Sequence, residues 1–389
     1  MIRKMVRREL LRLVRPQHGG EVWKHNPTLI DFSCNLNPFG PPEETLKIIQ
    51  QNLDYITNYP DDHCTHLKST LSDYLDVPLG NIIVGCGSTE LIKAFAEAFV
   101  RPNDHIIVCS PTYDEYAFYC QFMGGVVDRV PLREDKEFCL ETDSLFELVN
   151  GGARAVFLCN PNNPTSRFEN KNKILEVVEE CESRNILVFI DEAFIDFLRE
   201  GKSSSCVSEV QNHDNLFVSR SLTKIFSIPG IRVGYGVGGE EIVKYMDKAR
   251  LSWNVGTLEQ ALACGLVGAC HSYLERTVRF VETEKRRIYE KLSRIMGYQP
   301  VRPDANFIFV KIKELGVSST DFKNIMLTYG FLIRDCSSFG EAFSNYIRIA
   351  IKKSEQNASL LEKLKAVSEE ILSSGRKEFE APERSISKC

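Results

Sequence analysis

The sequence predicts an α/β protein with a large domain, in which helices flank a mostly parallel sheet, and a smaller α/β domain. Short apolar runs, which are typical of buried strands, alternate with helical patterns from Asn81 onward. The alternation resumes near Asn306, after a stretch with helical spacing. A chain of 389 residues is also too long for one small core, so we expect two domains.

The apolar runs and helical spacings predict each element in order. Helices are expected at about residues 42–53, at 91–100 and between 236 and 295. Strands are expected over residues 82–84, 105–109, 153–159, 185–190, 215–219, 306–310, 331–335 and 346–351. Four of the early strands run into polar loops, and ligands bind at the carboxyl ends of strands in open α/β sheets. We therefore expect a binding site at that edge.

Composition and charge narrow the range of partners. The net charge of −5 argues against a nucleic-acid partner, and no apolar run approaches the roughly 18 residues that span a bilayer. We expect no membrane partner either. The first sixteen residues carry six basic side chains and predict a basic first helix, without the apolar core and cleavage site of a secretory signal. The expected location is the cytoplasm.

The thirteen cysteines predict buried thiols rather than disulfides, because the count is odd and residues such as Cys109 and Cys159 lie inside apolar runs. His63, Cys64 and His66 form one compact cluster of metal-ligand types. A metal site needs three or four converging ligands, and no others are evident nearby in the sequence. No metal is therefore expected.

The stretch Val218–Tyr235 places one lysine, Lys224, among small hydroxyls and ahead of an arginine. A Schiff-base lysine for a phosphorylated aldehyde cofactor needs an amine nucleophile with anion-binding groups around it. Ser221 and Arg232 have that character. The alternative is a surface turn that carries an ordinary lysine.

A second anion-binding candidate is the loop between the first two elements of the α/β pattern. Backbone amides at a helix N-terminus attract phosphate, and glycine lets the anion approach the main chain. Gly87, Ser88 and Thr89 therefore predict a phosphate cradle. The alternative is simple capping of the helix by Ser88.

Three further residues complete a coherent pyridoxal-phosphate site. Asp191 follows a strand, Asn163 lies in an Asn-Pro-Thr turn, and Tyr113 follows a Ser-Pro-Thr turn. A carboxylate keeps the pyridine nitrogen protonated, an amide binds the 3-oxygen, and an aromatic ring stacks on the cofactor.

Four other polar residues are candidates for substrate binding. Arg334 and Arg348 lie on or beside apolar strands, where a guanidinium is costly unless it pairs with an anion. The alternative is two internal salt bridges. His18 and Asn35 lie in loops marked by glycine and Asn-Pro, where such side chains either bind a ligand or cap a turn.

Nearly the whole chain resembles the fold-type I pyridoxal-phosphate enzymes of the class I and II aminotransferase superfamily. The motifs are His18-Gly-Gly, Asp31-Phe-Ser-Cys-Asn-Leu-Asn-Pro, Asp191-Glu-Ala-Phe-Ile-Asp-Phe and Ser221-Leu-Thr-Lys-Ile-Phe-Ser-Ile-Pro-Gly. They are similar to the branch that holds threonine-phosphate decarboxylases, which serve cobalamin assembly, and histidinol-phosphate aminotransferases. Ser166 and Cys86 depart from common patterns of the superfamily.

The resemblance implies pyridoxal phosphate as the cofactor, with Lys224 as the catalytic lysine that binds it. It implies a homodimer with shared active sites, and a chain divided into an N-terminal arm with part of the small domain (1–44), a cofactor domain (45–260), a small domain (261–374) and a polar tail (375–389). The resemblance also implies that Asp191 contacts the ring nitrogen, that Asn163 binds the 3-oxygen and that Tyr113 stacks on the ring. The cofactor phosphate would be bound by Gly87, Ser88, Thr89, Ser221 and Arg232, and Tyr59 would reach into the neighbouring subunit's site. The implied substrate-binding residues are His18, Asn35, Asn163, Arg334 and Arg348.

The expected reaction is decarboxylation of L-threonine O-3-phosphate to (R)-1-amino-2-propanol O-2-phosphate for the cobalamin nucleotide loop, with L-serine O-phosphate as a further substrate. Phe194 favours it, because the aminotransferases usually carry a tyrosine there that donates to the cofactor's 3-oxygen. The alternative is a histidinol-phosphate aminotransferase that uses 2-oxoglutarate. A third alternative is a catalytically silent regulator with the same fold.

Overall fold

The computed structural model of the chain describes residues 1–25 and 28–373. They form two compact units. Unit 1 comprises Met1–Pro16, Leu36–Asn163 and Arg167–Phe280, and unit 2 comprises Gln17–Asn35, Pro164–Ser166 and the chain from Val281 onward. The polar tail predicted at 375–389 lies outside the described residues, and the predicted domain limits stay predictions.

The strands of the described chain are short. They are β1 (Ile30–Asp31), β2 (Ile82–Gly85), β3 (His105–Ser110), β4 (Val126–Pro131), β5 (Ala155–Cys159), β6 (Leu187–Asp191), β7 (Leu216–Ser221), β8 (Gly234–Gly238), β9 (Gln299–Pro300), β10 (Phe307–Lys311), β11 (Phe331–Leu332), β12 (Arg334–Asp335) and β13 (Tyr346–Ala350).

The α-helices of the described chain lie between and after these strands. They are α1 (Glu44–Gln51), α2 (Thr65–Leu75), α3 (Ser88–Phe99), α4 (Glu115–Phe122), α5 (Thr142–Asn150), α6 (Lys171–Glu182), α7 (Gly201–Ser204), α8 (Leu222–Ile225), α9 (Glu240–Ala249), α10 (Thr257–Val267), α11 (His271–Leu292), α12 (Ser319–Thr328) and α13 (Ser354–Ser373).

Unit 1 contains a seven-stranded sheet in the order β2-β8-β7-β6-β5-β3-β4. β8 is antiparallel to β2 and to β7, and the remaining neighbours pair in parallel. This confirms the predicted mostly parallel sheet. Because β3, β5, β6 and β7 run in one direction, their last residues, Ser110, Cys159, Asp191 and Ser221, lie along one edge of the sheet.

Two strands of this sheet were missed in the sequence, each for a physical reason. β8 reads Gly-Tyr-Gly-Val-Gly and contains no apolar run. Its glycines make room for the core, since a Cβ at Gly236 would overlap the ring of Phe217. β4 is the last strand in the sheet order and contains Asp128 and Arg129, so its pattern is polar.

Aromatic rings fill the core of unit 1. Phe95, Phe157, Phe189 and Phe217 are fully buried, and neighbouring ring centroids lie 5.0 to 6.0 Å apart. Rings at these separations gain more than their buried area alone provides. The twelve cysteines in the described ranges are free thiols.

Unit 2 contains a four-stranded antiparallel sheet in the order β12-β13-β10-β9 and a parallel pair, β1 with β11. Ile308 and Val310 of β10 and Ile347 and Ile349 of β13 are buried in one cluster with side chains of α12 and α13. This core holds β12 and β13 in the register that places the two predicted arginines.

The first sixteen residues form two short 3-10 turns, Ile2–Lys4 and Glu9–Leu11, so the predicted basic first helix is wrong for this structure. A short helix is marginal in water unless packing buries its apolar face, and Met1, Ile2 and Met5 are exposed here. Across residues 1–25 and 28–373, no helix is long and apolar enough to cross a membrane.

Candidate active site

The residues predicted to contact a cofactor all belong to unit 1. Asp191 ends β6, Ser221 ends β7, and Lys224 lies on α8, which follows β7 directly. The loop after β2 leads into α3 and carries Gly87. β2 and β7 are both antiparallel to β8, so this loop emerges at the same edge of the sheet as Asp191 and Ser221.

The Asp191 carboxylate is buried and held by two hydrogen bonds. The Tyr116 hydroxyl donates to Oδ2 over 2.8 Å, and the Ala193 amide donates to Oδ1 over 3.0 Å. Burial raises the pKa of Asp191, while these hydrogen bonds and the positive charge of Lys224 act in the opposite direction. A carboxylate in this setting is stabilised by a cation, and a protonated pyridine nitrogen would supply one.

Lys224 is half-buried and lies within a chain of hydroxyls. Its Nζ donates to Thr223 Oγ1 over 2.9 Å, and that oxygen lies 2.9 Å from Ser221 Oγ. Asn37 holds the helix, because its amide donates to the carbonyl of Lys224 over 3.0 Å and its Nδ2 donates to the carbonyl of Ile225 over 2.8 Å. These contacts fix the backbone that carries the amine.

The loop at Gly87 brings together groups that can bind an anion. Gly87 precedes α3 with a φ of +77°, and no side chain caps this helix end in the described structure. Ser88 is the first helical residue rather than the cap, so capping does not account for it. A Cβ at Gly87 would lie 2.6 Å from a terminal nitrogen of Arg232, so any larger residue would displace that guanidinium. Uncapped amides, hydroxyls and a guanidinium together fit a phosphate.

Tyr113 and Asn163 lie on the two loops that follow β3 and β5. The Tyr113 hydroxyl lies 3.4 Å from Thr89 Oγ1, and burial raises its pKa well above the usual range. Asn162 joins the loops: Thr112 Oγ1 donates to its Oδ1 over 2.7 Å, and its Nδ2 donates to the carbonyl of Pro111 over 3.0 Å. The loop of Asn163 is therefore tied to the loop of Tyr113.

Tyr59 is placed differently from the other predicted cofactor residues. Its side chain is 80% exposed and stacks on the ring of Trp253, with centroids 4.7 Å apart. Trp253 has a left-handed backbone with a φ of +52°, and its amide donates to Asp62 Oδ1 over 2.5 Å. Tyr59 is thus presented on the surface of unit 1 by its neighbours.

Four of the five predicted substrate residues belong to unit 2, and the fifth, Asn163, belongs to unit 1. In unit 2, Arg334 and Arg348 are cross-strand partners on β12 and β13. Arg334 Nη2 donates to the carbonyl of Gln17 over 2.6 Å and to Ser338 Oγ over 2.7 Å. No carboxylate pairs with Arg334 among the residues that the structure describes. Arg348 Nη2 donates to the carbonyl of Ser33 over 2.6 Å.

The electrostatics of this arginine pair favour an anion. Both side chains are buried. Burial lowers the pKa of Arg348 to about 10, and the like charge of Arg334 acts in the same direction. An anion bound beside them would offset both effects.

The two arginines hold the segments that carry His18 and Asn35. Gly19 and Gly20 allow these segments to approach, because a Cβ would lie 2.5 Å from the Ser33 carbonyl oxygen or 2.6 Å from Cys34 Sγ, respectively. His18 is exposed. Asn35 is buried, and its Oδ1 has no hydrogen-bond partner in the described structure. An unpartnered amide oxygen is costly to bury, so a ligand that donates to it would gain affinity.

Three supporting groups were missed in the sequence. Tyr116 lies three residues after Tyr113, and its hydroxyl contacts Asp191, 75 residues away in the sequence. Arg220 lies beside Ser221 and pairs with Glu192 and Asp196, the two acidic neighbours of Asp191. The sequence did contain a signal for this network, namely an arginine inside an apolar strand and two carboxylates in the motif that follows Asp191. Asn37 carried only the signal of an Asn-Pro turn.

Comparison with known proteins places the chain among characterised families. The family model described as aminotransferase class I and II matches residues 27–364. A protein of Caldanaerobacter subterraneus subsp. tengcongensis, provisionally named a threonine-phosphate decarboxylase, is 34% identical over 354 residues, which are 91% of this chain and 94% of that protein. The histidinol-phosphate aminotransferase of Moorella thermoacetica is 31% identical over 341 residues, 87% of this chain and 85% of that enzyme.

Among solved structures, the histidinol-phosphate aminotransferase from Clostridium acetobutylicum is similar over 88% of this chain and all of its own, with a TM-score of 0.81 and 29% identity. Relatives named for decarboxylation and for amino transfer are therefore similar to this chain to nearly the same degree. Sequence identity alone does not choose between the two activities.

Proposed function

This chain belongs to the aminotransferase class I and II family, and from that membership we propose that it decarboxylates L-threonine O-3-phosphate to (R)-1-amino-2-propanol O-2-phosphate for the cobalamin nucleotide loop. L-Serine O-phosphate is proposed as a further substrate.

Pyridoxal phosphate is the cofactor, and the residues of unit 1 fit it. The cradle of Gly87, Ser88, Thr89, Ser221 and Arg232 would hold its phosphate, and Asp191 would face its ring nitrogen. Tyr113 would stack on the ring, and Asn163 would bind the 3-oxygen. When bound, the cofactor supplies an aldehyde that condenses with amines and a cationic ring that accepts electrons from the substrate's α-carbon.

The observation that carries the substrate proposal is the buried pair Arg334 and Arg348. Two guanidiniums in cross-strand register suit a substrate with two anionic groups, here a carboxylate and a phosphate. The unpartnered Oδ1 of Asn35 adds an acceptor for a substrate donor. His18 would contact the same substrate from the segment that Arg334 holds.

Decarboxylation requires that the bond from the α-carbon to the carboxylate stand perpendicular to the plane of the conjugated ring, where its electrons delocalise best. Arg334, Arg348, His18 and Asn35 would hold the carboxylate and phosphate to give that orientation. The carboxylate leaves as carbon dioxide, and its bonding electrons remain at the α-carbon. Lys224 Nζ would then donate a proton to that carbon.

Phe194 supports decarboxylation over amino transfer. It is buried three residues after Asp191 and has no hydroxyl to donate to the cofactor's 3-oxygen. The cofactor should therefore be tuned differently from that of an enzyme with tyrosine at this place.

The second candidate is a histidinol-phosphate aminotransferase, which the likeness to the Clostridium acetobutylicum structure favours. Amino transfer would begin when Lys224 removes a proton from the α-carbon, so the same amine serves both reactions. The two proposals differ in which bond breaks first and in the need for a keto-acid acceptor.

Carbon dioxide release decides between the two reactions. The holoenzyme should release carbon dioxide from L-threonine O-3-phosphate without a keto acid, and Lys224→Ala should lower the rate at least about a thousandfold. Lys244→Ala, at an exposed lysine, is the matched control. Turnover of histidinol phosphate only with 2-oxoglutarate, and no carbon dioxide, would establish the aminotransferase instead. A holoenzyme that turns over neither substrate would favour the third hypothesis, a catalytically silent regulator.

We also propose a homodimer in the cytoplasm. The dimer is supported by an exposed apolar surface that includes Tyr55, Ile56, Tyr59 and Trp253. Apolar side chains grouped on a surface mark an interface more often than a solvated face. In the dimer, Tyr59 would contact the cofactor phosphate of the neighbouring subunit.

A further inference from the structure

The N-terminal segment of residues 1–16, here called the basic arm, has no role in the proposed reaction. Its six basic side chains are exposed, and Glu9 is its single acidic residue. Met1, Ile2, Met5, Leu10, Leu11 and Val14 are also exposed, although each is apolar. Apolar side chains that are exposed together in one segment often mark a surface that binds a partner or a membrane.

The order of residues in the basic arm follows the period of an amphipathic α-helix. Apolar side chains at positions 2, 5, 6, 10 and 13 lie within one arc of about 140° at 3.6 residues per turn. A separate arc holds Lys4, Arg8, Arg12 and Arg15, whereas Arg3, Arg7, Leu11 and Val14 lie at the boundary between the two arcs. The pattern therefore specifies a helix with one apolar and one cationic face.

The basic arm does not form this helix in the isolated chain. It has two 3-10 turns, and it is anchored by Arg7, which donates to the carbonyl of Phe122 over 2.8 Å and lies 4.9 Å from that ring's centroid. Arg3, Lys4, Arg8 and Arg12 form no side-chain hydrogen bond or ion pair with any residue that the structure describes. Most side chains of both arcs are thus exposed, while Val6 and Leu13 are half-buried.

An anionic bilayer surface satisfies both faces together. Nucleic acid would pair with the cations and leave the apolar face in water. A lipid surface takes apolar side chains at the boundary of its acyl chains, while its headgroups attract the cations. We propose that the basic arm folds into an amphipathic helix on an anionic lipid surface and so holds the enzyme at a membrane. This inference stands independently of the reaction proposed above.

This interaction needs no spanning segment. The expectation of no membrane partner rested on the absence of a run of about 18 apolar residues, which is the requirement for crossing a bilayer. A helix that lies in the interface instead has low mean hydropathy and a cationic face. The basic arm meets that second requirement.

Vesicle binding by the full-length holoenzyme tests the proposal. The protein should co-sediment with vesicles of phosphatidylcholine and phosphatidylglycerol, much less with phosphatidylcholine alone, and binding should weaken as salt rises. The triple variant Arg3→Glu, Arg8→Glu, Arg12→Glu should lower partitioning about a hundredfold or more. The variant Ile2→Ser, Met5→Ser, Val14→Ser should lower it at least about tenfold.

Charge changes elsewhere provide the matched control. Lys244→Glu, Arg279→Glu, Lys365→Glu removes three exposed cations outside the basic arm and should change partitioning far less than the arm variant. Equal losses from the two charge variants would mean that net charge alone drives binding, and no sedimentation of the wild-type chain would mean that the arm has no affinity for lipid. Either result overturns the proposal. Unchanged turnover without vesicles would show that the variants fold.

Discussion

Tyr116 links the aromatic core of unit 1 to the carboxylate of Asp191. Its side chain is fully buried, stacks on Phe157 with centroids 5.7 Å apart and meets Tyr113 edge to face at 5.6 Å. Its hydroxyl donates to Asp191 Oδ2, so the aromatic core holds that carboxylate in one orientation. Tyr116 therefore positions the group that would face the ring nitrogen, without contacting the cofactor itself.

We expect Tyr116→Phe to raise the pKa of Asp191 further, because the carboxylate loses a donor while its burial persists. A carboxyl with a raised pKa in the folded state binds protons that the unfolded chain has released. The free energy of unfolding of the apoprotein therefore falls as pH rises from the ordinary aspartate pKa through the raised one. In the variant this fall should extend to higher pH.

Thermal unfolding of the apoprotein across pH measures that shift, and the pH dependence of the holoenzyme's visible absorbance should move with it. Tyr119→Phe is the control, since Tyr119 lies on the same helix and has no bond to Asp191. Profiles for Tyr116→Phe that overlay those of the wild type would show that Tyr116 does not tune this carboxyl.

At the scale of elements, the turn between β2 and α3 depends on one glycine. Gly87→Ala places a methyl group in a left-handed backbone and against Arg232, whereas Gly152→Ala meets the same backbone constraint, with a φ of +89°, in open space. Both changes should cost about 1 kcal/mol of stability. Only Gly87→Ala should also weaken pyridoxal-phosphate binding, by about tenfold or more, because it displaces the guanidinium.

Titration of the two apoproteins with the cofactor separates the effects. Equal affinities for Gly87→Ala and Gly152→Ala would remove Gly87 and Arg232 from the phosphate cradle. Equal stabilities with unequal affinities would match the expectation.

A buried charge network joins the end of β6 to β7. Arg220 lies on β7, is 4% exposed, and pairs with Glu192 over 3.2 Å and with Asp196. Ser205 Oγ donates to Glu192 Oε2 over 2.6 Å. The network fixes the segment after Asp191 against the strand that leads to Lys224.

Arg220→Met should destabilise the protein by roughly 3–5 kcal/mol, because it leaves the buried Glu192 carboxylate without its cation. Arg279→Met removes the cation of an exposed pair with Glu275 and should cost at most about 0.5 kcal/mol. Urea unfolding of the two variants measures the difference. A small loss for Arg220→Met would show that Glu192 relaxes toward water or takes up a proton.

At the scale of the whole molecule, the proposed dimer can be tested by subunit complementation. Neither Lys224→Ala nor Tyr59→Ala homodimers should be fully active. In a mixed dimer, one site combines Lys224 from one subunit with Tyr59 from the other, so activity should rise on mixing. The mass in solution should be twice 44.2 kDa. A mass of one chain, or no gain on mixing, would exclude shared sites.

Much of the fold could be predicted because buried strands and helices have characteristic patterns of apolar residues in the sequence. The runs at 82–84, 105–109 and 215–219 were predicted within two residues of the observed ends of β2, β3 and β7. The candidate cofactor residues were found because strand ends, glycine turns and a lysine among hydroxyls are local features. Gly-rich β8 and polar β4 escaped prediction because neither carries such a pattern.

Only the tertiary structure decided how distant residues meet. The roles proposed for Asp191, Lys224 and Arg334 come from the sequence, since each residue lies in a short local pattern. The hydroxyl that holds Asp191 comes from 75 residues away, and the carbonyl that Arg334 binds comes from 317 residues away. Such contacts depend on strand order and register, which arise from packing the whole chain. The same dependence applies to the basic arm: its period specifies a helix, but in the described part of the chain it forms two 3-10 turns.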